Sequence, residues 1–168
     1  MADHIREAAR CDAPLLVRLL HVAFAAQAER FGITPENWPH YASNITAERI
    51  VEKIDGGTRY FLLRASGPYG SVPDEPIGCI GMEPREADAV HVRHLAVLPA
   101  HRGKGRGGAL VAHVLAEGRR LGARRMTLGL LAADADLEGW YRRRGFEVTG
   151  KKHFEGVPFP ITLMARDL

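Results

Sequence analysis

The sequence predicts an α/β (α+β) fold, a mixed central β-sheet of about six or seven strands flanked by about four helices. Three observations point there. Apolar residues recur at helical spacing in two long stretches, Leu15, Leu16, Leu19, Leu20, Ala23 and Phe24, and later Leu110, Val111, Val114 and Leu115. Between and after them lie short apolar segments bounded by Gly and Pro, which read as strands. No repeat, low-complexity run or linker divides the 168 residues, so one domain over residues 1–168 is expected.

In chain order, Asp12 can cap a first helix that Pro14 helps to start, running to about Glu29. Phe31 to Tyr41 holds Gly32, Pro35, Trp38 and Pro39 and reads as an aromatic loop, either packed down by Trp38 or forming a pocket wall. Thr46 caps a short helix with Ile50, Val51 and Ile54 on one face, and Gly56 and Gly57 end it. Arg59 to Ala65 is a strand. Gly67 to Pro76, with Pro68, Pro73 and Pro76, is a turn-rich hairpin tip. Ile77 to Met82 is the returning strand, where Gly78 and Gly81 suggest a bulge or close packing. Ala89 to Val97 is the next strand. A helix follows to about Leu121, stopped by Gly122. Arg125 to Leu131 is a strand, Asp134 or Asp136 starts a short helix through Tyr141, and strands follow after Phe146 and from Phe159 to Ala165.

Composition narrows the function. Apolar residues make up 46% and charged residues 26%, as in an ordinary soluble protein. The net charge of +3 is modest, and much of the excess sits in Arg102 to Arg106 and Arg142 to Arg144. No nucleic-acid-binding motif accompanies these clusters, so a small polyanion fits them better than nucleic acid. Cys11 and Cys79 lack metal spacing, and Cys79 reads as a buried free thiol, consistent with a reducing, cytoplasmic compartment. Met1 to Arg10 is charged throughout and does not read as a signal peptide, and no apolar run suggests a bilayer span or a membrane partner.

The stretch HVRHLAVLPAHRGKGRGGALVAHVL, from His91 to Leu115, carries the chemistry. A strand ends at Val97. Gly103, Gly105, Gly107 and Gly108 alternate with Arg102, Lys104 and Arg106, and a helix opens directly after them. Free N–H groups, the helix dipole and glycine backbone together make a phosphate site. Gly103, Gly105 and Gly108 match G-x-G-x-x-G, but five residues, Leu98 to Arg102, separate strand and first glycine, and no acid ends the strand Thr127 to Leu131 to hold a ribose. No Gly-Lys-Ser/Thr is present for a Walker loop.

Arg102-x-x-Gly105-x-Gly107, preceded by Leu95-Ala96-Val97, resembles the acetyl-coenzyme A motif of the GNAT family of N-acetyltransferases. Downstream, Leu137 to Phe146, LEGWYRRRGF, resembles the family's LYEKLGF signature. The two motifs cover roughly Ala89 to Val148. The resemblance implies a GNAT-like fold and an acetyl-coenzyme A-dependent N-acetyltransferase that moves acetyl to a primary amine of a small molecule or peptide by direct attack. It implies that Arg102 to Gly108 hold the pyrophosphate and that Leu95, Ala96 and Val97 pair with the pantetheine amides as a strand would. The thioester would lie between that strand and Thr127 to Leu131. Asp134 stands where the family usually has Asn, so it either contacts the pantetheine arm or simply caps a helix. Arg142 to Arg144 are a solvated face or contacts to the ribose phosphate.

Acyl transfer from a thioester needs a proton acceptor, an oxyanion donor and an acid for sulfur. Tyr141 matches the family's tyrosine and is the expected acid, against the alternative of a core aromatic beside Trp140. The resemblance makes the Val97 backbone N–H the oxyanion donor. His91, eleven residues before Arg102, is a candidate base, and Glu83 is its rival. Strand alternation places His91, Arg93, Leu95 and Val97 on one face and Val92, His94 and Ala96 on the other, unless a bulge near Leu95 intervenes. The histidines carry no metal-ligand spacing, so no metal is expected. Phe31 to Tyr41, Gly67 to Pro76 and His153 to Pro160 are the expected walls for the amine acceptor, bringing Trp38, His40, Tyr41, His153, Phe154, Glu155 and Phe159. A non-catalytic acyl-coenzyme A-binding module, a transferase of longer acyl chains and a homodimer stay open.

Overall fold

A computed structural model describes residues 3–65 and 75–168. The expected hairpin tip lies, up to Asp74, outside the described residues. The elements run β1 (His4–Glu7), α1 (Ala13–Phe31), α2 (Ala47–Asp55), β2 (Arg59–Arg64), β3 (Gly78–Arg85), β4 (Ala89–Val97), α3 (Arg106–Arg120), β5 (Arg125–Leu131), α4 (Ala135–Arg142), β6 (Glu147–Lys152) and β7 (Ile161–Asp167). One mixed sheet has the order β1-β2-β3-β4-β5-β7-β6. Its neighbours are antiparallel except β4 and β5, which are parallel.

Each face of the sheet carries its own core. On one, Leu110, Val111, Val114 and Leu115 of α3 and Tyr141 of α4 pack on Val90, Val92, Met126 and Leu128. On the other, Leu16, Leu19, Leu20 and Ala23 of α1 and Ile50 of α2 cover Tyr60, Leu62, Cys79 and Ala96. Thr46 caps α2 by accepting the Arg49 N–H at 3.3 Å. Gly32, with φ of 69°, ends α1 two residues beyond the expected stop. Asp12 does occupy the N-cap of α1, but its carboxylate takes the Arg6 guanidinium at 2.8 Å rather than capping the helix. Residues Arg10–Phe31 are, with a mean hydropathy of 1.2, long and apolar enough to cross a membrane, contrary to the sequence expectation. The leucine face of α1 is buried against the sheet.

Two features were not expected. His4–Glu7 forms an edge strand on β2, although Ile5 is the one large apolar residue in it. The second is the arrangement at the middle of the sheet. β4 and β5 pair only from Ala89–Arg125 to Val92–Leu128. Beyond that point they separate, and the sheet splits into β1–β4 and β5–β7–β6 halves. A bulge sits where the split begins: Cys79 faces Ala96 but Gly81 faces Arg93, so β4 has one extra residue. That residue is His94, with φ of 54°. Gly78 and Gly81 flank the bulge from β3, as their placement suggested. A Cβ on Gly81 would lie 2.9 Å from the Tyr60 ring and 3.0 Å from Arg93 Cγ, so the bulge and a side chain there exclude each other.

The bulge corrects the expected alternation. His91 and Arg93 face α2, but the extra residue turns Leu95 and Val97 to the opposite face, where they join Val90 and Val92 in the α3 core.

Candidate functional site

The split opens a cleft of about 1110 Å³ that reaches from the start of α3 to α1, α2 and the 38–42 loop. At the α3 end, Gly103 and Gly105 have φ of 74° and 76°, with open space where a Cβ would stand. Glycine is needed there for the left-handed backbone and not for room. The first helical bond is from the Ala109 N–H to the Gly105 carbonyl at 2.9 Å. Among the described residues no main-chain acceptor takes the N–H groups of Gly103 to Gly108. This run of donors lies on a 15-residue helix whose dipole adds partial positive charge.

The cations around the loop are not equivalent. Arg102 donates from Nε to the Val97 carbonyl at 2.8 Å and from Nη2 to the Ala23 carbonyl at 2.6 Å, tying β4 and α1 together beside the loop. Arg106 pairs with Asp3 at 2.8 Å, so the N-terminal segment braces the first turn of α3. Lys104 is exposed and does not line the cleft, unlike its neighbours Arg102, Gly103, Gly105, Arg106, Gly107 and Gly108. Arg144 lies over the Trp140 ring at 3.4 Å, donates to the Trp140 carbonyl at 2.9 Å, and lines the cleft beside Gly108. Arg142 pairs with Glu138 on the outer face of α4.

Leu95, Ala96 and Val97 line the middle of the cleft, opposite Gly129 to Leu131. The Leu98 N–H donates to the Ile77 carbonyl at 2.8 Å. Val97 and Gly78 are therefore a non-hydrogen-bonded pair, and the Val97 N–H points away from β3 into the gap left by β5. Tyr141 also lines the cleft, 5% exposed, edge-on to Trp140 at 5.0 Å and to Phe146 at 5.5 Å. Burial pushes its phenol pKa above the ordinary value.

His91 lines the cleft and bonds Thr127 Oγ1 through Nδ1 at 2.9 Å. Burial, with Arg93 and Arg85 nearby, lowers its pKa to about 4. His94 bonds the Tyr60 hydroxyl at 2.7 Å, and burial first, then Arg93, lowers its pKa to about 3. Glu83 is not brought to the site. It faces His91 across β3 and β4, yet its carboxylate is taken by Arg85 at 2.9 Å and by Arg93, and it does not line the cleft.

The acetyltransferase (GNAT) family model matches residues 20–146. The chain belongs to the GNAT family. No curated protein matches it in sequence. Among solved structures it is similar to the PaiA N-acetyltransferase of Thermoplasma acidophilum in complex with coenzyme A, with a TM-score of 0.76, 16% identity and 100% of both chains covered. It is similar also to the ribosomal-protein-S18-alanine N-acetyltransferase of Escherichia coli, with a TM-score of 0.74, 16% identity and coverage of 99% and 94%. An acetyltransferase of the GNAT family from Staphylococcus aureus Mu50 gives 0.72, 16%, and 99% of each chain. At these identities the likeness is one of fold.

At the other end of this GNAT cleft, some of the residues expected to meet the acceptor line the cavity. Trp38, His40, Tyr41 and Phe154 line it, while Phe159 packs behind Trp38 at 6.1 Å and His153 and Glu155 stay outside. Asp134 caps α4, accepting the Leu137 N–H at 3.1 Å, and its other oxygen accepts Gln27 Nε2 at 2.7 Å. Gln27 Oε1 in turn accepts the Tyr41 hydroxyl. The helix cap therefore accounts for one Asp134 oxygen and Gln27 takes the other. Sequence reasoning missed Gln27, Arg49, Lys53 and Arg93, all of which line the cleft. Their only early signal was position: Arg93 shares a face with His91, and Arg49 and Lys53 are four apart on α2.

Proposed function

We propose that this chain is an acetyl-coenzyme A-dependent N-acetyltransferase acting on a primary amine. One observation carries the reading. The uncommitted N–H groups of Gly103 to Gly108 share a single cleft with the Val97 N–H and Tyr141. A ligand with a pyrophosphate at one end and a thioester at the other suits that layout. The loop N–H groups would hold the pyrophosphate, each charge-assisted bond contributing about 1.5–3 kcal/mol. Arg144, and not Lys104, is the loop-side cation placed to meet a phosphate. Leu95 to Val97 would pair with the pantetheine amides.

In the transfer, the neutral amine nitrogen bonds to the acetyl carbon and the carbon–sulfur bond breaks. The Val97 N–H stabilises the oxyanion in between. Tyr141 stays protonated because burial raises its pKa. The same shift makes full proton transfer to the thiolate costlier, so its hydroxyl serves by donating a hydrogen bond to the departing sulfur. His91, with a pKa near 4, is neutral at neutral pH and offers the amine an acceptor. It is far weaker than an amine as a base, so the amine's proton leaves to water. Glu83, spent on two guanidinium groups, has no part in the transfer.

The test is thiol release from acetyl-coenzyme A across an amine panel, beside direct measurement of coenzyme A affinity. Amine-dependent release is expected. Tight coenzyme A binding without release on any acceptor would favour a binding module instead. A pH profile of kcat/KM should rise with the amine's own ionisation and show no inflection near 6.5; such an inflection, abolished in His91→Ala, would restore His91 as the base.

A further inference from the structure

We infer that the acceptor amine carries a carboxylate, which Lys53 and Arg93 receive at the α2 end of the cleft. The inference rests on the transferase reading above and deepens it. The cleft is lined by seven Arg and Lys residues, Arg30, Arg49, Lys53, Arg93, Arg102, Arg106 and Arg144, and by two carboxylates, Asp134 and Asp136. Arg102, Arg106 and Arg144 belong to the phosphate end. Both Asp134 oxygens are engaged by Leu137 and Gln27, and Asp136 is in the first turn of α4. Among the described residues, the α2 side of the cleft is lined by cations and by no carboxylate; Glu83, which pairs with Arg93, is not part of the lining, and the Asp134 charge sits at the other wall beside Gln27 and Tyr41.

The details favour a small anion over a solvated basic face. Arg93 spends one guanidinium nitrogen on Glu83, while its Nε is buried without a partner. Lys53 has no carboxylate within ion-pair distance among the described residues. It is half-buried, and burial followed by repulsion from Arg93 holds its pKa below the ordinary value. A carboxylate between the two side chains would relieve the repulsion and accept from the Lys53 ammonium, which no carboxylate among the described residues pairs. A polycationic acceptor would meet like charge there instead. The opposite wall, Phe24, Trp38 and Tyr41, is aromatic, with Trp38 and Tyr41 centroids 4.7 Å apart, and suits an apolar body on the same molecule.

Matched acceptors test this: phenylalanine against phenethylamine, 4-aminobutyrate against butylamine, and spermidine as the polycation. The carboxylate-bearing member should win in kcat/KM by about tenfold or more in at least one pair. Lys53→Gln should reduce that advantage by about tenfold, chiefly through acceptor KM, with coenzyme A affinity confirming the fold. Lys53 is the better variant because Arg93 also holds Glu83. Faster transfer to the decarboxylated amine or to spermidine, with the ratio indifferent to Lys53→Gln, would overturn the inference and leave the transferase standing. No thiol release with any amine, in protein that binds coenzyme A, would defeat the transferase reading and the inference with it.

Discussion

At the α3 end of the cleft the groups proposed to meet the ligand are main-chain N–H groups of the Gly103 to Gly108 run, which no main-chain acceptor takes among the described residues. At the α2 end they are side chains, Lys53, His91 and Arg93, drawn from a helix and a strand some forty residues apart in sequence. The first end is local chemistry: glycine spacing and a helix start suffice to make it. The second exists only because β4 bulges at His94 and parts from β5. One end should thus respond to backbone changes, the other to charge changes, and the middle, which Tyr141 and Val97 both line, to both.

The largest effect is expected in the middle. Tyr141→Phe removes one hydroxyl and keeps the aromatic packing on Trp140 and Phe146. Loss of the hydrogen bond to the departing sulfur should lower kcat by about 10²–10³-fold with coenzyme A affinity little changed. Full turnover in that variant would reduce Tyr141 to a core aromatic and leave the cleft without a group for sulfur.

The bulge itself can be probed by pH. His91 and His94 have folded pKa values near 4 and 3, against 6.5 when unfolded. Between those values the unfolded chain binds protons that the folded chain does not. Stability therefore falls as pH drops below about 6.5, by a few kcal/mol by pH 4. Glu7 and Asp12, held low by Arg59 and Arg6, add their own loss at lower pH. His94→Asn keeps a residue that tolerates the left-handed backbone and removes one of the two titrations. Urea midpoints for that variant between pH 7.5 and 4.5 should vary less than for the parent; an equal slope would mean that the bulge histidine does not carry the effect.

Gly107→Val separates the two ends most cleanly. A Cβ at Gly107 would stand 3.2 Å from the Trp140 ring, so the ring or the helix start must give, and the two further methyl groups of Val add to that pressure. Coenzyme A should bind about tenfold more weakly, since a charge-assisted bond of about 1.4 kcal/mol or more is disturbed. The acceptor preference should persist. Lys53→Gln should give the reverse pattern. If both variants changed the same constant, the division of the cleft into a backbone end and a charge end would be wrong.

That division also explains what could be read beforehand. The strand Ala89–Val97, the glycine loop, α3 and the Tyr141 helix are each written in contiguous residues, and Thr46 announces its helix by its cap. Four things depend on distant partners. The strand His4–Glu7 has almost no apolar signal because it is an edge held by pairing and by Arg59–Glu7. The face occupied by Leu95 and Val97 turns on one inserted residue. Arg102 and Arg106 look like phosphate ligands in sequence, but much of their donor capacity goes to Val97, Ala23 and Asp3. Lys53 and Arg93 carry no motif at all.

The smallest effect concerns the joint between the ends. Asp134, Gln27 and Tyr41 form a chain of hydrogen bonds from α4 through α1 to the aromatic wall. Asp134→Ala removes the cap of α4 and frees the Gln27 amide, at a cost of about 1 kcal/mol or more. Asp134→Asn should be nearly neutral. Its carbonyl oxygen can keep the Leu137 N–H, and its amide can donate to Gln27 if that side chain flips. Tyr41 then accepts from Gln27 instead of donating, and the chain of hydrogen bonds persists with its direction reversed. Thermal melts of the pair distinguish a cap within a reversible network from a charge required as such: an Asn variant as damaged as the Ala variant would show that α4 needs the negative charge at its N-terminus, not the hydrogen bonds.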